Sequence, residues 1–272
     1  MTSGPSSSTP GAFDWRVASP DEVEAQYSPS RVALQPIEAH LAAYARASAE
    51  AGDPRELAVP GQPLLVYVHG GYWQELSAAE SLFAATDARR EGVSLVALDY
   101  TLAPIATIDA MIEECAAGLA EAISSLCPPS VVLAGSSAGA HLVACCLRRS
   151  GVAEAVDGAA LLSGIYDLRP LTRTSINRPL GLSAAEALRL SPAFDNFGPL
   201  PPVLVATGEH ETSEFKRQSH EMAAHLRRDR VSVTQIELSQ RDHFDLPHDL
   251  LARDTAVGDW ILSLLGRAAG TP

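Results

Sequence analysis

Six short apolar runs, separated by helical patterns, constrain the fold more than any other feature of this sequence. They are LLVYV (64–68), VSLVAL (93–98), VVLA (131–134), AALL (159–162), VLVA (203–206) and VSVTQIEL (231–238). Most are continuously apolar rather than alternating, the pattern of strands covered on both faces. Helix-like segments follow near 78–91, 107–126, 138–150, 213–229 and 250–266, and another at 36–51 precedes the first strand. Strand–helix alternation of this kind predicts an α/β fold with a mostly parallel central sheet and helices on both faces. The last run alternates in part and is expected nearer a sheet edge. Residues 164–200 break the rhythm, being long and Pro-rich with one short helix near 184–190. An insertion of that length is expected to act as a lid or binding loop.

Composition narrows the function. Of 272 residues, 46% are hydrophobic and 19% charged, so a sizeable core can form. A net charge of −13 argues against a general nucleic-acid binder, which needs clustered Lys and Arg. The Ser/Pro/Gly-rich start, residues 1–11, has no basic and apolar signal-peptide pattern and is expected to be a disordered lead. Residues 12–272 show no repeat or linker and are expected to form a single domain. No apolar run approaches the ~18 residues of a membrane span, so a soluble cytoplasmic protein is the expectation. Cys115, Cys127, Cys145 and Cys146 show no CxxC spacing, and free thiols are expected rather than a metal or redox site.

The chemistry begins after the third run, with GSSAGAHL (135–142). This fits G-x-S-x-G with Ser137 at its centre. The motif is a sharp strand-to-helix turn whose small residues let it close and push the serine outward. The Ala138 N–H points to the same spot, where the helix N-terminus favours negative charge. A nucleophilic serine needs a base, and the base an orienting carboxylate, in chain order Ser, acid, His. Six histidines follow Ser137. His243, in the loop after the last strand (SQRDHFDLPHD, 239–249), is the expected base, with His248 the runner-up at the start of the final helix. His141 reads as structural, and His220 and His225 as solvated on a polar helix. The acid should follow VLVA, where TGEHETSEF (207–215) offers Glu209, Glu211 and Glu214. Position alone does not separate Glu209 from Glu211, and Asp167 is a further option.

Acyl transfer builds negative charge on the carbonyl oxygen, which preorganised N–H donors must meet. The stretch HGGYW (69–73) follows the first apolar run, and its glycines allow bare backbone to approach a substrate. Gly70, Gly71 and Tyr72 are therefore candidate donors alongside Ala138, with His69 as an anchor of the loop. Tyr72, Trp73, Tyr166 and Phe244 are expected to shape an aromatic substrate pocket.

Taken together, HGGYWQ (69–74), GSSAGAHL, SGIYDLRPL (163–171), ALRLSPA (187–193), GEHETSEFKRQS (208–219) and DHFDL (242–246) resemble the kynurenine formamidase (arylformamidase) branch of the α/β hydrolases. YSPSR (27–31) resembles its N-terminal segment. The resemblance implies the α/β-hydrolase fold and hydrolysis of N-formyl-L-kynurenine or a related aryl formamide through a formyl-enzyme, with no metal or cofactor. By position it makes Ser137 the nucleophile, His243 the base and Glu211 the acid, where the family usually shows Asp. The Ser136 of GSSAG stands where His is more usual. A carboxylesterase with the same triad is the alternative. A small-molecule substrate is implied, without nucleic acid or membrane; a homodimer is compatible with this reading.

Overall fold

The computed structural model describes residues 13–266, so the lead at 1–11 lies outside the described residues. In chain order the elements are α1 (Pro20–Gln26), α2 (Ile37–Glu50), β1 (Leu64–Val68), α3 (Ala85–Glu91), β2 (Ser94–Leu98), α4 (Ile108–Leu126), β3 (Val131–Ser136), α5 (Ala138–Cys146), β4 (Gly158–Leu162), α6 (Asn177–Leu180), α7 (Ala184–Arg189), β5 (Val203–His210), α8 (Ser213–Arg228), β6 (Val233–Asp242) and α9 (Ala256–Leu264), with short 3-10 turns between some of them. The strands form one sheet in the order β2-β1-β3-β4-β5-β6, every pairing parallel.

The apolar runs are continuous because the sheet is covered twice. Leu64, Val66 and Val68 of β1 face a core completed by α4, α5 and α8. Leu65 and Tyr67, pointing the other way, join α3 and α9. This two-residue alternation repeats in β3, β4 and β5, whose apolar side chains are all buried. β6, at the edge, is half exposed along most of its length.

Two helices start later than the apolar pattern suggests. Residues 78–80 form a 3-10 turn and α3 begins only at Ala85. The final helix was expected from about 250, with His248 at its start; instead Leu246–Asp249 form a 3-10 turn. α9 starts at Ala256, where Thr255 Oγ1 accepts the Gly258 N–H at 3.0 Å.

This topology places the site. The chain leaves β1 for β2 on one side and crosses back for β3 on the other. In open parallel sheets, ligands bind at the carboxyl ends of strands beside such a reversal. Residues 69–72 follow β1, Ser137 follows β3, Glu211 follows β5 and His243 follows β6, so the strand ends gather residues far apart in sequence.

Candidate active site

Ser137 sits at φ 54, ψ −119, between β3 and α5. Non-glycine residues avoid this region, and strain of this kind collects at functional sites. Two glycines make the turn sterically attainable. A Cβ on Gly139 would lie 2.0 Å from the Val68 carbonyl oxygen, and one on Gly135 2.5 Å from that of Gly139. The Ser137 N–H donates to the Leu162 carbonyl at 2.8 Å, which pins the turn to β4. Ser136 also lines the site but its hydroxyl is engaged by the Tyr67 hydroxyl at 2.6 Å.

The loop after β1 meets this serine. A Cβ on Gly70 would lie 3.2 Å from Ser137 Cβ, so the backbone passes directly beside this serine. Gly71, Tyr72 and Trp73 have φ values of 89, 51 and 61, an unusual run of positive angles. The loop carbonyls are engaged from behind: the Tyr100 hydroxyl donates to both His69 and Gly70, and His69 Nδ1 also bonds the Gly70 oxygen at 2.9 Å. His69 stacks on Tyr100 with ring centroids 4.3 Å apart, and burial pushes its imidazole toward the neutral form. Among the described residues, the Gly71, Tyr72 and Ala138 amides make no backbone hydrogen bond. Ungrouped donors beside a serine are what a developing oxyanion requires.

Of the four carboxylates considered, only Glu211 reaches His243. Its Oε2 lies 3.0 Å from His243 Nδ1, and both side chains are buried. Glu209 instead accepts from Ser239 and Gln240 on the β6 edge. Asp167 pairs with Arg169, and Glu214 with Arg217 and Tyr27. His220 and His225 contact Gln235 and the Asp195 carbonyl, away from the serine, and His248 packs on Tyr44 and Phe83.

Ser137, His243, His69, Gly70, Gly71 and Tyr72 all line one cavity of about 310 Å³. Half of its remaining lining comes from a segment the sequence left without a role. Glu24, Tyr27, Ile37, Leu41 and Tyr44, from α1 to α2, form one side. Segment 164–200 contributes Ile176. The N-terminal segment is tied to the site's loops: the Tyr72 hydroxyl donates to the Tyr27 carbonyl at 2.5 Å, and Tyr44 donates to that of Phe244. His40 on α2 lies 3.1 Å from Asp242, the residue before His243. YSPSR was the sequence signal for this segment; what it packs against could not be read from it. Among the described residues no group of three His, Cys, Asp or Glu side chains is placed to hold a metal ion, and no helix is long and apolar enough to cross a membrane.

Residues 65–245 match the model of a family described by its α/β-hydrolase fold. A kynurenine formamidase of Danio rerio is 31% identical over 94% of this chain and 99% of its own length. One of Salmo salar is 30% identical, covering 93% and 99%. The chain belongs to the kynurenine formamidase family of the α/β hydrolases. It is therefore a hydrolase. At the level of fold alone, a solved Silicibacter protein superposes with a TM-score of 0.76 at 21% identity, covering 90% of this chain and 99% of that one. An esterase of Pyrobaculum calidifontis gives 0.64 at 21%, covering 76% and 78%.

Within this formamidase framework two expected wall residues are placed elsewhere. Trp73 and Tyr166 are fully buried and do not reach the cavity; Tyr72 and Phe244 do. The left-handed turn at Trp73 sends its indole inward, edge-on to His141 at 5.1 Å. The Tyr166 ring folds back over Gly164, where a Cβ would lie 2.3 Å from its hydroxyl. Spacing identified these aromatics but did not show which way a strained turn would aim them.

His141 has a structural consequence. Its Nε2 bonds the Leu190 carbonyl at 2.7 Å, and burial lowers its pKa from 6.5 to about 4. Between those values the unfolded chain binds a proton that the folded one refuses, so stability falls as pH drops from 6.5 toward 4. The shift corresponds to up to about 3 kcal/mol. His141→Gln, whose amide can keep the Leu190 bond, is expected to lose about 2 kcal/mol less than wild type between pH 7 and 5. Urea unfolding at the two pH values measures this; equal losses in the two proteins would refute it.

Proposed function

We propose that this chain hydrolyses aryl formamides of the N-formyl-L-kynurenine type to the amine and formate. The observation that carries the reading is the strained Ser137 turn sharing one cavity with a buried His243–Glu211 pair. Its curated relatives in Danio rerio and Salmo salar are kynurenine formamidases, which supplies the substrate class.

Because Glu211 occupies Nδ1, the free Nε2 of His243 takes the Ser137 proton. Oγ bonds the formyl carbon, and the oxyanion forms against the Gly71, Tyr72 and Ala138 amides. The carbon–nitrogen bond then breaks as His243 returns its proton to the aryl amine. Water, deprotonated by the same histidine, cleaves the formyl ester, releasing formate and restoring the serine. Tyr72 and Phe244, with Tyr27 and Tyr44 from the N-terminal segment, give the aryl group an aromatic wall.

A carboxylesterase uses the same machinery, and the cavity supports it as a second reading: about 310 Å³ is more room than a formyl group fills. Formate release from N-formyl-L-kynurenine, set against p-nitrophenyl acetate and butyrate hydrolysis, separates the two. A higher kcat/KM on the formamide is expected; a higher value on the esters would overturn the formamidase reading in favour of the esterase.

A further inference from the structure

Ser163, immediately after β4, has φ 48, where a serine is disfavoured and glycine would be at ease. It is almost fully buried, and its N–H donates to the Ala206 carbonyl at 2.8 Å, which anchors the turn to β5. Its hydroxyl donates to Glu211 Oε1. The same oxygen accepts the Gly208 N–H at 2.9 Å, and the other, Oε2, faces His243 at 3.0 Å. The carboxylate is thus divided, one oxygen gripped by the ends of β4 and β5, the other left for the histidine. The additional methylene of Glu over Asp suits this span between two neighbouring strand ends.

We propose that Ser163 is a positioning residue for the catalytic acid, its hydroxyl orienting Glu211 toward His243. The inference rests on the Ser137–His243–Glu211 reading given above. A strained serine is otherwise a poor choice here, because glycine would form the turn without the hydroxyl; buried non-glycine residues at such angles persist where the surroundings over-determine them.

Ser163→Ala removes the hydroxyl and keeps the strain, while Ser163→Gly removes both. If the hydroxyl orients the acid, each variant lowers kcat about 10- to 100-fold, the scale of a lost hydrogen bond to a charged group. KM stays near wild type. The split between a lowered kcat and an unchanged KM is the signature of a group that acts on the acid rather than on substrate binding. Glu211→Ala is the control, and circular dichroism verifies folding of all three. Two results overturn the proposal while Glu211→Ala is inactive: wild-type kcat in both serine variants, or normal kcat in Ser163→Gly alone, which would assign the effect to backbone strain. An active Glu211→Ala would instead sink the triad reading itself.

Discussion

Ser137→Ala is expected to reduce kcat on an aryl formamide by about 10⁶-fold, the scale seen when a serine nucleophile is deleted from a triad. The residual rate is that of binding and oxyanion donors acting alone. Folding should survive, because the turn is enforced by Gly135 and Gly139 and by the Ser137 N–H to Leu162 bond, none of which uses the hydroxyl. Single-turnover formate release and thermal unfolding test both halves. A variant with near-normal activity would show that another group attacks the carbonyl. Retained activity would also predict that a fluorophosphonate probe fails to label Ser137 in the wild type.

Gly71→Ala is the second large effect expected, and it tests the proposed oxyanion loop separately from the proposed nucleophile. At φ 89 an alanine is strained, and its Cβ would lie 2.2 Å from the Glu75 carbonyl oxygen. That oxygen belongs to backbone, so the turn must open. The Gln74 and Glu75 amides, both bonded to the Gly71 carbonyl, would move with it. Displacing one oxyanion donor typically costs 10²- to 10³-fold in kcat. KM should change little, because the lost contact matters mainly in the transition state. The sheet lies beneath the loop and should unfold at nearly the wild-type temperature. If kcat stays within threefold of wild type, the amides of this loop do not carry the oxyanion.

The parts of the site legible in sequence are those whose geometry is local. G-x-S-x-G is a contiguous turn, and its small residues state their own steric reason. The HGG stretch is likewise read from the strand before it and the freedom of its glycines. The proposed acid was only half legible. Glu209 and Glu211 both follow the VLVA run, and residue positions alone did not separate them. The pairing of β5 with β6 sends Glu209 to the exposed edge and brings Glu211 to His243. Trp73 and Tyr166 show the converse: residue type and spacing nominated them, and backbone angles and close packing turned them inward.

By itself the sequence determined the parallel α/β architecture, since strands buried on both faces must be apolar throughout and the helices between them must cross over. It also determined the candidate nucleophile turn and the loop opposite. Only the tertiary structure decided which carboxylate meets the histidine, which aromatics reach the cavity, and that residues 24–44 close over it. Those outcomes depend on strand register and on contacts between residues from 32 to 200 positions apart. A pattern read along the chain carries no information about distance across it.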